Sequence, residues 1–247
     1  MAKAVLPNEV QVARYAILRK HFYLNSILGA IHFIPAPGLG TLGVDKKWNC
    51  QYDPEWLLGK PPEEIKGLLY HEVGHILRNH FKRGVYVPRE YHHIYNIAGD
   101  MEINPDVIAA GYELPVNAWY PATKQFPENL LAESYYELLM KDPPSKNKAK
   151  QGPGAGDCGG CAGNPQDGED EGDPISGEER STVEQDLIVK QAAKDIEAAH
   201  SSKPGSVPAG MVRWSKSVLH PVVNWTTELK AVVRHAMTTC AGKTERT

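Results

Sequence analysis

Residues 68 to 84 read LLYHEVGHILRNHFKRG, with two histidines four apart and a glutamate directly after the first. A helix advances 100° per residue, so His71 and His75 stand on one face about 6 Å apart along the axis, where two imidazoles can converge on a single ion. Glu72, one step round, points beside such an ion and not at it. A zinc hydrolase needs this arrangement: neutral imidazoles hold Zn²⁺, the ion lowers the pKa of water toward about 7, and a neighbouring carboxylate takes the proton. The spacing fits the H-E-x-x-H pattern. The plain alternative is a helix with an exposed Glu72 and two histidines satisfied by neighbouring groups. Context argues for the chemical reading, since Leu68, Leu69, Val73 and Ile76 can anchor the helix and a hairpin precedes it. Gly74 costs that helix about 1 kcal/mol relative to Ala, which implies that another element or a substrate comes close there.

An open zinc site needs one more protein ligand. The next polar helical run, NIAGDMEIN, offers Asp100 and Glu102, with Asn96 and Asn104 alongside. About the apolar face of Ile94, Ile97, Ala98 and Met101, Asp100 falls on one flank and Glu102 on the other, and periodicity does not choose between them. Asn96, Asp100 and Asn104 form one stripe, so a ligand at Asp100 would have amides able to orient it. In a continuous helix His80 lies about 140° round from His75, which makes it a solvated or cap-like histidine. His92 and His93 are weaker ligand candidates.

The elements that position these residues follow from pattern. Residues 8 to 30 read as one amphipathic helix. Strands near 41–44 and 48–52 form a hairpin around Asp45-Lys46-Lys47, and strand 48–52 offers an edge for an extended peptide. Asp53-Pro54 suits a helix cap, and Pro61-Pro62-Glu63-Glu64 opens the motif helix, with Lys82 and Arg83 in its last turn and Gly84 as its stop. A second helix starts near His92 and is kinked or ended by Pro105. A third spans ENLLAESYYELLMK. Residues 142–177 are Pro, Gly, Lys and acidic residues with little to bury, which reads as a flexible linker. Helix resumes over about 178–199, a polar loop follows, and PVVNWTTELKAVVRHAM is a last amphipathic helix. The organisation expected is a core over 1–141, the linker, and a helical segment over 178–247 packing on the core, with Trp214 and Trp225 as packing residues. The fold class is α+β, mainly helical.

At 247 residues and 41% hydrophobic composition the chain can bury one good core. A formal net charge of −3, with the basic residues dispersed, leaves no electrostatic footprint for nucleic acid. Neither a signal peptide nor a membrane span is apparent, and four cysteines do not make a disulfide framework, so a cytoplasmic protein is expected. Cys158 and Cys161 form a lone C-x-x-C in a glycine-rich loop, short of the ligands a second zinc site requires. The acidic run 166–173 reads as a solvating segment.

The order of these features resembles the zincin-like metallopeptidase domains that usually lie amino-terminal to a von Willebrand factor A-like domain. The resemblance rests on GTLGVDKKWNCQYDP, EEIKGLLYHEVGHILRNHFKRG, NIAGDMEIN, GYELPVNAWYP with LLAESYYELL, and PVVNWTTELKAVVRHAM. It implies a zincin-like core and a peptidase acting on proteins or peptides, with a von Willebrand factor A-like domain or an AAA+ ATPase as partner. In that family the block equivalent to NIAGDMEIN carries an Asp and, four residues on, an Asn, which favours Asp100 over Glu102 as third ligand. The expected machinery is then Zn²⁺ on His71, His75 and Asp100, with Glu72 as general base and Tyr112, Tyr120, His92 or His93 as donor to the tetrahedral intermediate. Competing readings are a non-catalytic binding or assembly module with a structural zinc, and a zinc hydrolase of non-peptide substrates.

Overall fold

The computed structural model describes residues 7–142 and 180–221. Apart from Asp142 and Pro221, the linker expected over 142–177 and the terminal helix expected from Pro221 lie outside them, as do the C-x-x-C, the acidic run and Trp225. The described residues are mainly helical around a three-stranded sheet, an α+β arrangement.

The single amino-terminal helix expected over 8–30 is interrupted. Helix α1 (Asn8–Lys20) ends at His21, a 3-10 turn covers Phe22–Leu24, and α2 (Asn25–Ala30) follows. His21 leaves helical geometry at φ −129° and shares a 2.8 Å hydrogen bond with the Tyr23 hydroxyl. The break lets Tyr23, Leu24, Ile27 and Leu28 reach the core from a direction that one straight helix would not give them.

Strands β1 (His32–Pro35), β2 (Leu42–Val44) and β3 (Asn49–Tyr52) form a sheet in the order β1-β3-β2. The β2–β3 pair is the expected hairpin, antiparallel with Gly43 opposite Gln51, and Asp45 closes its turn by accepting from the backbone of Lys47 and Asn49. β1, unforeseen, runs parallel to β3. The edge proposed for β3 therefore does not exist, because that strand is central and paired on both sides. Next to it, β2 is an edge strand.

Asp53 caps α3 (Pro54–Leu58) by accepting from Glu55 and Trp56. The motif helix α4 (Pro62–Leu77) opens with Glu63 and Glu64 in its first turn but stops earlier than expected. Asn79 takes the left-handed conformation, φ 54° and ψ 41°, and a separate turn α5 (His80–Arg83) follows. Asn tolerates that region better than most residues because its short polar side chain bonds locally. Helix α6 (His92–Ala109) continues through Pro105 instead of ending there. α7 (Ala132–Lys141) starts four residues later than its pattern suggested, with Glu102 accepting from the Ala132 N–H at 2.7 Å.

Two further helices, α8 (Thr182–Ser202) and α9 (Ala209–Leu219), pack on each other and on the rest. α9 occupies what the sequence reads as a polar loop. Its Met211 sulfur accepts from the Tyr70 hydroxyl, and its Gly210 N–H donates to Asp106 at 3.0 Å. The buried apolar residues among those described form two clusters. The larger joins α1, α2, the sheet, α4, the second half of α6, α8 and α9, and the smaller joins the first half of α6 to α7. α4 and α6 meet within the larger one. Among the described residues no helix is long and apolar enough to cross a membrane.

Candidate metal centre

The crossing of α4 and α6 is close because Gly74 has no side chain: a Cβ there would lie 2.6 Å from Cγ2 of Ile103 on α6. The approach anticipated at Gly74 is that of α6. The proximity brings Asp100 over the two motif histidines.

Nε2 of His71 and Nε2 of His75 lie 2.8 Å apart, and Oδ1 of Asp100 lies 3.3 Å from the first and 3.2 Å from the second. All three side chains are buried. Tetrahedral zinc with bonds of about 2.0–2.1 Å holds its ligand atoms about 3.3 Å apart, so the two edges to Asp100 already have that length and the histidine edge is shorter. Two imidazole nitrogens and one carboxylate oxygen are also a donor set that suits zinc. Among the described residues this is the one grouping of three His, Cys, Asp or Glu side chains whose ligand atoms converge in this way.

The protonation of the cluster follows from its surroundings. Asn104 donates through Nδ2 to the carbonyl of Trp119 at 2.7 Å, which leaves Oδ1 to face Nδ1 of His71 at 2.7 Å. A carbonyl oxygen only accepts, so His71 carries its proton on Nδ1 and turns the lone pair of Nε2 to the cluster. Burial, then the neighbouring His71, lowers the pKa of His75 to about 3 and keeps it neutral, the form in which an imidazole can bind a metal. Burial pushes the Asp100 carboxyl up, but His71 and the hydrogen bonds from both histidines outweigh it and hold the group well below the usual carboxylate range.

Glu72 is wholly buried. Its Oε2 accepts from the Val44 N–H of β2 at 2.9 Å, and its Oε1 has no hydrogen-bond partner among the described residues. Burial raises its pKa to about 7, against the lowering effects of His71 and the Val44 N–H. An acid–base group that works at neutral pH is best poised there. Glu72, His71, Asp100 and Asn104 line one cleft, closed on its other sides by Thr41 and Leu42, by Trp56 and Leu68, and by Leu114, Pro115 and Ala118.

The alternatives fall elsewhere. Glu102 faces Arg78 Nε at 3.2 Å and Arg83 Nη2 at 3.0 Å on the far flank of α6. His80, expected in solvent, is fully buried with Nδ1 2.9 Å from Nδ1 of His75. His92 bonds the carbonyl of Val87, and Tyr112 packs its ring 5.5 Å from His21 and 5.2 Å from Tyr70. None of His92, His93, Tyr112 and Tyr120 lines the cleft. The wall formed by Leu114 to Ala118 went unrecognised in the sequence, although it is the loop that directly follows α6.

A family model described as "putative metallopeptidase domain" matches residues 6–244. No curated protein and no solved structure matches the chain.

Proposed function

The chain belongs to that family of metallopeptidase domains, and from this premise we propose that it is a zinc-dependent peptidase with a zincin-like core, in which His71, His75 and Asp100 hold the ion and Glu72 is the general base. The observation that carries the reading is the convergence of the three ligand atoms within 4.8 Å, beside a cleft that Glu72 also lines.

Zinc bound there would supply Lewis acidity, polarising the scissile carbonyl and easing deprotonation of water. The chain's own groups do the rest. Val44 fastens Oε2 of Glu72, so Oε1 is the oxygen placed to take a proton from the attacking water and pass it to the leaving amine. Asn104 holds the His71 ring in the tautomer that ligates.

The sheet edge that would present a peptide is β2. Thr41, Gly43 and Asp45 form the ladder to β3, so the N–H and C=O of Leu42, a residue that lines the cleft, point away from β3. An extended substrate adding there would pair through alternate residues. A peptide series carrying single N-methylated amides tests this: KM should rise at alternate positions only, and a flat series excludes strand addition.

The first test of the whole reading is zinc content. About one zinc per chain, lost in His71→Ala and in Asp100→Ala, is the expected result. No stoichiometric metal, or metal indifferent to both replacements, would overturn it.

A further inference from the structure

We infer that His80 is a positioning residue for the metal site: held by Glu102, it accepts the Nδ1 proton of His75 and thereby aims the bare Nε2 of His75 at the ion. The inference rests on the reading of His71, His75 and Asp100 as ligands.

The chain of hydrogen bonds starts at Glu102. Its carboxylate is fixed by Arg78, Arg83 and the Ala132 N–H at 3.2, 3.0 and 2.7 Å. A carboxylate oxygen only accepts, and Oε2 lies 3.2 Å from Nε2 of His80, so His80 carries its proton on Nε2. The ring is fully buried, and a second proton on it would set a cation beside the two guanidiniums that share Glu102 with it, so Nδ1 keeps its lone pair. That lone pair faces Nδ1 of His75 at 2.9 Å, and the bond can form only if His75 is the donor. With its proton on Nδ1 and given to His80, His75 carries an unprotonated Nε2, and Nε2 is the atom beside His71 and Asp100. Ligating histidines commonly give their other N–H to a carboxylate or carbonyl, as His71 does to Asn104. Here a second histidine stands between ligand and carboxylate.

Two backbone features make room for the pair. The left-handed Asn79 ends α4 and swings His80 back toward it, where a continuous helix would have carried it away. Gly99 on α6 faces both rings: a Cβ there would lie 2.8 Å from Nδ1 of His80 and 3.3 Å from Cε1 of His75.

The test compares the full chain with His80→Phe, which keeps an aromatic ring but cannot accept, and His80→Gln, whose carbonyl oxygen can. Zinc dissociation constants come from competition with a chromophoric chelator, and melting of the metal-free proteins reports folding. The expected result is a 10- to 100-fold weakening in His80→Phe, roughly the usual loss for such a partner, at comparable metal-free melting, with most of it regained in His80→Gln. Affinity in His80→Phe within about threefold of the parent, well inside that range, overturns the relay while leaving the metal site intact. A parent chain without stoichiometric zinc overturns the site reading itself. Should His80→Phe fail to fold, ring ¹⁵N spectra of the zinc-loaded parent decide: a neutral His80 protonated on Nε2 supports the relay, and one protonated on Nδ1 overturns it.

Discussion

The backbone N–H of Val44 donates to Oε2 of Glu72 at 2.9 Å, tying the carboxylate of the motif helix to the edge strand of the sheet. Glutamine at position 72 can keep that bond through its amide oxygen but cannot take a proton. Glu72→Gln should therefore fold, keep its zinc, and lose turnover by on the order of 10²–10⁴, the usual worth of a general base. Zinc content beside kcat on a denatured protein substrate checks it. Retained turnover would remove Glu72 from the chemistry, and with it the distinction from a structural zinc.

The two glycines at the helix crossing separate metal binding from packing. Alanine is the better helix former by about 1 kcal/mol, so in an open helix each Gly→Ala change would stabilise. At Gly99 the new methyl meets the His80 and His75 rings, and at Gly74 it meets Ile103. Both variants should lose about 1–3 kcal/mol to overpacking, measured by denaturant unfolding of the metal-free protein. Zinc affinity should fall by more in Gly99→Ala, since only that methyl meets the ring of a proposed ligand, His75. Equal affinities would mean that the rings yield without cost.

What the sequence makes legible is whatever depends on near neighbours. The i, i+4 histidines of α4, the Asp53-Pro54 cap and the β2–β3 hairpin are each specified within a few residues, and each forms as its local pattern directs. β1 escaped because its partner β3 is parallel and seventeen positions on, so no turn signal links them. Periodicity left Asp100 and Glu102 on equal flanks of α6; what separates them is that one flank meets α4 while the other meets Arg78 and Arg83, a fact of packing. His80 was misplaced for one reason. Extrapolating a helix through Asn79 rotates every later residue wrongly, and a single left-handed residue moves His80 from solvent to the centre. α9 was hidden by its flanking Ser, Pro and Gly residues, although its buried Met211 and Ser215 lie one turn apart.

Arg78 and Asp106 form a buried ion pair, and Asp106 also accepts from the Gly210 N–H at the start of α9. Asp106→Ala would leave a buried guanidinium without one of its carboxylates and an unpaired N–H at the helix start. Removing one partner of a buried pair costs about 3–5 kcal/mol. The variant should unfold at correspondingly lower denaturant, and amide exchange should accelerate over residues 205 to 215 before it does elsewhere. Unchanged protection there would mean that α9 docks through its apolar contacts, Met211 against Tyr70 among them, without need of Asp106.

Acid sensitivity should have a component that has nothing to do with metal. His21 is buried against Tyr23, Tyr70 and Tyr112, and burial, with the charge of Lys20 beside it, lowers its pKa from 6.5 to about 4 despite the nearby Ala110 carbonyl, which raises it. The unfolded chain thus takes up a proton at this residue near pH 6.5 while the folded chain does not until near pH 4. Its contribution is complete above pH 6.5 and is lost as the pH falls through that window. One pKa unit is about 1.4 kcal/mol, so the loss amounts to about 2–3 kcal/mol after allowance for solvent screening. His21→Phe keeps an aromatic ring among the tyrosines but has nothing to titrate. Denaturant unfolding of the metal-free proteins at pH 7 and pH 4.5 should show the stability gap between parent and variant moving in the variant's favour by that amount at the lower pH. A gap that stays constant would mean that His21 is protonated in the folded chain, with Tyr23 and the nearby Ala110 carbonyl already arranged to hold the charge.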